Sequence, residues 1–226
     1  MLTKEQKAYI LSRIESVLKP LGYKQRRRDG IRFYRSSEEH LDFFLVFFYR
    51  ITDIKVTGVY RGIREVESIM AQLYDDNYPI IGWIRDFGDI PFSIDDRSLR
   101  YISTSPLLNT QEEIDSFCDW YIGYLLGDGM RFFNHYSYLP NILKRMDELE
   151  AQGLPWQHPK EGILSGSLDG DFRGLIISKL CNDPHFEHKV AKIEGEFHED
   201  ESDKPWWPYL DRLKEILPTI EPKYNI

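Results

Sequence analysis

The segment Leu41-Asp42-Phe43-Phe44-Leu45-Val46-Phe47-Phe48-Tyr49 constrains the fold more than any other. Its apolar residues do not alternate with polar ones. Phe43, Leu45, Phe47 and Tyr49 on one face and Phe44, Val46 and Phe48 on the other therefore both need apolar cover. A strand covered on both faces belongs in the middle of a sheet, with strands beside it and helices packed on it. Even this run is far shorter than the roughly 20 apolar residues that cross a bilayer.

The flanking sequence supplies those neighbours. Thr3 and Gln6 have capping-box spacing, and Ile10, Ile14, Val17, Leu18 and Leu21 follow at helical intervals, so a first amphipathic helix ends near Pro20 and Gly22. Lys24–Arg26 and Ile31–Arg35 read as two strands around Asp29-Gly30, a strong hairpin signal, with Arg26, Arg27 and Arg28 at the tip. Residues 54–60 predict a fourth strand in which Gly58 marks a bulge or a close approach. Ile63, Val66, Ile69, Met70 and Leu73 return to helical spacing, closed by Asn77-Tyr78-Pro79 before a strand at Ile80–Ile84. Residues 85–109 read as a connection with one short strand near Leu99–Ile102.

Helices dominate afterwards. Thr110-Gln111-Glu112-Glu113 is a second capping box, leading into Ile114, Phe117, Cys118, Tyr121, Ile122 and Leu125, with Gly127 as the stop. Further helices are expected at Met130–Tyr136, Pro140–Leu149, Phe172–Leu180 and after Pro205, where Trp206, Leu210, Leu213 and Leu217 share a face and Trp207 is left exposed. Gly162–Gly174 reads as a loop without the spacing of a phosphate cradle. The fold expected is α+β: a mainly antiparallel sheet of about five strands packed by helices, with a helical C-terminal half. One domain over 1–226 accounts for it, with a sub-boundary near residue 105 dividing a helix-plus-sheet part, 1–105, from a helical part, 106–226.

Composition narrows the function classes. Cys118 and Cys181 lie 63 positions apart with no CxxC, which indicates two reduced core thiols. Met1–Pro20 lacks the apolar core of a signal peptide, so a cytoplasmic protein without membrane attachment is expected. Residues 1–74 carry 14 basic and 9 acidic side chains, a net of +5; residues 75–226 carry 15 and 28, a net of −13. A chain of net −8 is a poor generic binder of nucleic-acid backbones, and its acidic part suits a basic partner.

No catalytic motif is present and no cofactor is implied. The G-x-S-x-G elbow and the H-E-x-x-H zinc spacing are both absent. A metal reading begins with His185 and His188, beside Asp183 and Glu187, with His198 further on as a third ligand. Asn182-Asp183-Pro184 reads more simply as a helix stop. The pairs Asp75-Asp76, Asp95-Asp96 and Asp169-x-Asp171 fit turn and cap chemistry, although Asp169 and Asp171 with His185 and His188 would be the residues of a small metal-dependent hydrolase. The most biased segment holds Glu194, Glu196, Glu199, Asp200, Glu201 and Asp203, followed by Trp206, Trp207 and Tyr209. It reads either as a solvated loop before a core-facing helix or as a protein-binding surface, its acids steering a cationic partner and Trp207 anchoring it.

Val17-Leu18-Lys19-Pro20-Leu21-Gly22-Tyr23-Lys24 followed by Arg32-Phe33-Tyr34-Arg35 resembles the opening of a group of uncharacterised bacterial α+β domains. Some of these look like immunity proteins encoded beside polymorphic or contact-dependent toxins. The resemblance covers about residues 3–50 and implies a small cytoplasmic protein that binds another protein, a basic toxin domain being the partner the charge suits.

Overall fold

Five strands, β1 (Lys24–Arg28), β2 (Gly30–Ser36), β3 (His40–Phe47), β4 (Lys55–Ile63) and β5 (Ile94–Asp95), form one antiparallel sheet in sequence order. The doubly apolar segment is its middle strand, and Leu41 through Val46 are buried on both faces. The computed structural model describes residues 2–28, 30–48, 55–74, 92–97 and 108–226. Asp29, the expected strands at Ile80–Ile84 and Leu99–Ile102, and the Asn77-Tyr78-Pro79 stop lie outside them. The described helices are α1 (Lys4–Leu18), α2 (Arg64–Met70), α3 (Gln111–Tyr124), α4 (Met130–His135), α5 (Leu139–Ala151), α6 (Leu168–Leu180), α7 (Phe186–Glu199) and α8 (Trp207–Ile216). The chain is thus an α+β protein with a helical C-terminal half.

It divides into two compact units, one of Met1–Arg61 with Asp95–His135, the other of Gly62–Ile94 with Tyr136–Ile226. In the first, Phe33 of β2 pairs with Phe44 of β3, so their rings share a sheet face with Val46 and Val59. Ile10, Ile14 and Leu18 of α1 and Ile114, Phe117, Cys118 and Tyr121 of α3 close the core over that face. Thr3 and Thr110 both form the complete capping box that their spacing predicts. Leu21, expected on the inward stripe, is instead 40% exposed, because a 3₁₀ turn at Lys19–Leu21 rotates it off the face of α1. A Cβ on Gly58 would lie 1.9 Å from the Asp96 carbonyl oxygen, and the Asp96 N–H donates to Val59 O at 2.9 Å, so the close approach expected at this glycine is present.

The strand β3 also carries a charge into this core. Asp42 accepts from Arg61 Nε at 2.6 Å and Nη2 at 2.9 Å, and from Arg35 at 3.1 Å. Arg61 completes its donors on the Phe133 carbonyl at 2.7 Å, with its guanidinium 5.0 Å from the Phe133 ring centre.

In the second unit α6 is buried on most of its surface, with Phe172, Leu175, Ile176, Ile177 and Leu180 among its buried residues, and it contacts α2, α5 and α7. A buried polar network runs through it. Arg173 is 2% exposed and donates to Glu67 of α2 at 2.7 and 3.2 Å and to Asp169 at 2.5 Å. Ser93 Oγ donates to the same Glu67 at 2.7 Å and accepts the Ile63 N–H at 2.8 Å.

Three local expectations are corrected. Gly127 does not stop the third helix; the chain continues through a π turn at Leu125–Gly129 into α4, since Gly127 keeps a negative φ and no left-handed cap forms. The loop expected over Gly162–Gly174 is half helix, because Gly170 and Gly174 are packing positions within α6 and not turn residues. Glu194–Glu199 is the C-terminal part of α7, which buries Ile193 and Phe197.

Among the described residues no helix is long and apolar enough to cross a membrane. Both thiols are fully buried, and burial pushes Cys118 up to about 11 and Cys181 up to about 12. An aromatic disulfide reagent at about pH 8 is accordingly expected to titrate neither thiol in the native chain and both in denaturant; rapid native reaction would contradict this burial.

Candidate functional site

Helix α5 ends in a left-handed turn at Gly153, φ +70°, where the Leu154 N–H donates to Leu149 O and the Gly153 N–H to Glu150 O, both at 2.9 Å. This turn sends Pro155, Trp156 and Gln157 back across α6. Two glycines receive them: a Cβ on Gly174 would lie 2.3 Å from the benzo edge of Trp156, and one on Gly170 would lie 2.6 Å from Gln157 Cγ. Gln157 is held there by its amide, which donates to the Ser167 carbonyl at 2.9 Å and to Asp171 Oδ1 at 2.6 Å.

The result is a cavity of about 320 Å³ in the second unit, lined by Glu150 and the 153–156 turn, by Asp171, and by Lys192, Ile193 and Glu196 of α7. Its volume lies at the low end of what small-ligand pockets occupy. Lys192 pairs with Glu150 at 2.6 Å. Asp171 is pushed up to about 7, chiefly by burial; the Gln157 amide pulls it back in part, while the charges of Glu196 and Asp169 raise it further and Lys192 opposes them. The indole N–H of Trp156 is buried and has no hydrogen-bond partner among the described residues.

Asp171 also gives a pH signature. Its native pKa lies above the ordinary 3.8, so the folded state holds the proton more tightly than the unfolded chain. Its contribution to stability is present at low pH and lost as pH rises through about 7. Asp171→Asn keeps an acceptor for Gln157 and removes the charge. The variant is expected to match the parent near pH 4 and to exceed it by about 1–3 kcal/mol near pH 8, read from denaturant midpoints. A gap that does not widen with pH would refute this.

The acidic run continues from the pocket along the same helix. Glu194 forms an ion pair with Lys214 that holds its carboxyl below the usual range. Asp200 accepts the Ser202 N–H at 2.8 Å as the cap of the 3₁₀ turn Glu201–Trp206, and Glu201 reaches Lys204 at 3.0 Å. Asp203 is half-buried. Glu196 and Glu199 are exposed and have neither a hydrogen bond nor an ion pair among the described residues. Trp207, expected to be exposed, is half-buried: its N–H donates to the Phe197 carbonyl at 2.9 Å and its ring meets His198 at 4.8 Å, so it ties α8 to α7. Trp206 is half-buried too, against Phe172 and Tyr209.

The histidines stand apart from the pocket. His185 precedes α7, His188 is in its first turn and His198 is near its end, all exposed. Asp183 is consumed structurally. Burial pushes its carboxyl up, but hydrogen bonds from Lys189, Ser178 and the His185 N–H together hold it below the ordinary value. Lys189 is 1% exposed and bridges Asp183 at 2.6 Å and Asp147 at 2.5 Å. Among the described residues no three His, Cys, Asp or Glu side chains gather as a metal-ligating group. Of Asp169, Asp171, His185 and His188, Asp171 alone lines this cavity, and Asp169 is bound to Arg173. Sequence reasoning missed Glu150, Trp156, Gln157 and Lys192; the one available signal was the four-residue spacing of Gly170 and Gly174. No protein-family model, no curated protein and no solved structure matches the chain.

Proposed function

We infer that the chain is a non-enzymatic protein-binding protein whose acidic α7 edge takes a basic partner. Its most concrete form is a cytoplasmic immunity protein that covers the active site of a basic toxin domain. The observation that carries this reading is the pair Glu196 and Glu199, exposed and uncompensated, continued by the exposed Asp200 and Glu201. They belong to a unit whose sequence holds 13 basic and 23 acidic side chains, a net of −10 against +2 for the other unit. Carboxylates arranged in this way accelerate encounter with a cationic surface and reject anionic ones. Trp207 is a positioning residue in this reading, because its N–H is already committed to Phe197.

The test is capture from the source cell's lysate with the parent chain and with a Glu196→Gln, Glu199→Gln, Asp200→Asn, Glu201→Gln variant side by side. The parent is expected to retain a basic protein that high salt releases and that the variant retains at least about tenfold less. Identical retained sets for the two chains would reject the reading.

A further inference from the structure

Helix α3, the π turn after it and α4 form one continuous helical run from Gln111 to His135, and its outward side presents large apolar residues to solvent. Trp120 is 42% and Leu126 45% exposed, and they lie three residues before and three residues after Gly123, on neighbouring positions of the helix surface. Ring contacts to Phe117 and Tyr121, with centres 6.0 and 6.2 Å away, hold Trp120 in place. Gly123 and Gly127 meet no need inside the chain. Neither has a positive φ, and among the described residues a Cβ on either would find nothing within 4 Å beyond its own helical backbone. Glycine is the poorest helix former after proline, so two of them at helical spacing, with open space around each, fit a close approach from outside.

The charges at the two ends of this face complement each other. Asp119 stands four residues before Gly123 and Arg131 four residues after Gly127, and both are exposed. Each has a surface ion pair within the chain, Asp119 with Arg13 at 2.5 Å and Arg131 with Asp128, and pairs so exposed hold a side chain weakly. A two-fold axis passing between the two glycines sets a second copy antiparallel to the first. Gly123 of each copy then faces Gly127 of the other, and Asp119 of each faces Arg131 of the other.

We propose that a second copy of this chain docks on this face about such a two-fold axis, burying Trp120 and Leu126 between the two helical runs. The proposal concerns the first unit and does not depend on the α7 reading. A foreign helix of one charge would satisfy one end of the face and oppose the other, whereas the face itself carries both charges at matching distances. One helix crossing is a small interface, so the dimer is a weak one that forms as concentration rises.

The test is sedimentation equilibrium of the full chain from about 5 μM to about 500 μM, in which the average mass is expected to rise from one chain toward two. Gly123→Leu places a side chain in open space and improves helix propensity. It is expected to weaken association at least about tenfold without lowering the denaturant midpoint. Asp119→Arg and Arg131→Asp are each expected to weaken self-association about fivefold or more. A one-to-one mixture of those two chains restores opposite charges at both ends of the face, and is expected to associate within about twofold of the parent. A parent that stays at one chain mass throughout, an association constant unchanged by Gly123→Leu, or a mixture no tighter than its components overturns the proposal. A monomeric parent whose lysate capture is lost with Gly123→Leu would assign the face to a different protein and overturn it equally.

Discussion

Replacing Arg173 by leucine is expected to lower stability by about 3–5 kcal/mol, measured as the shift in denaturant unfolding free energy. The guanidinium is 2% exposed and the Glu67 carboxylate it meets is equally buried. Burial alone would lower the arginine's pKa, but the Glu67 and Asp169 charges more than restore it, so the guanidinium stays charged. Removing the cation leaves Glu67 with Ser93 as its remaining side-chain donor, and an uncompensated buried carboxylate is among the costliest defects a core can hold. The double variant Arg173→Leu, Glu67→Leu separates charge from packing. It is expected to recover most of the loss, since no fully buried ion is then left alone; Asp169, which loses the same cation, is only half-buried. A double variant no more stable than the single one would mean that shape, not charge, holds α2 to α6.

Asp42→Asn is the corresponding change in the sheet unit, with an expected loss of about 3 kcal/mol. The substitution preserves size and one acceptor, so the packing of Phe44 and Val46 is unaffected and the effect isolates the charge. Arg61, 3% exposed, keeps its bond to the Phe133 carbonyl but loses its counter-ion. Arg35, on the more exposed side of the carboxylate, should matter less, and Arg35→Met is expected to cost about 1 kcal/mol or less. Equal losses for Asp42→Asn and Arg35→Met, read by thermal or denaturant unfolding, would contradict the burial-based ranking.

What could be read from the sequence was what short-range physics decides. Both capping boxes form because a cap involves residues three apart and little else. The segment around Phe43–Phe47 declared itself central because no half-exposed strand tolerates two apolar faces. Gly58 was legible as a bulge or a close approach, the two reasons a glycine commonly sits inside a strand, and the structure shows the close approach. Helix α7 was missed, although Phe186, Val190, Ile193 and Phe197 keep helical spacing, because their acidic neighbours dominate the local composition. By local composition Gly170 and Gly174 read as turn residues, whereas they admit Gln157 and Trp156, a tertiary fact that their four-residue spacing alone hints at. The cavity was invisible for the same reason: Glu150, Asp171 and Glu196 come from three helices, and nothing local marks that packing as converging on one space. The buried partners Asp42 and Glu67 were equally hidden, because an acid within an apolar strand or helix does not name its arginine.

Steering of a basic partner by Glu196 and Glu199 of α7 and by Asp200 and Glu201 just beyond it is the proposal on which the functional reading stands. Its most direct measurement is the association rate of the parent chain and the Glu196→Gln, Glu199→Gln, Asp200→Asn, Glu201→Gln variant with the captured partner, across salt from about 0.03 M to about 0.3 M. The parent's rate constant is expected to fall at least about tenfold over that range, the variant to start about tenfold slower, and the two to converge at high salt. Rates independent of salt and equal for the two chains would contradict it.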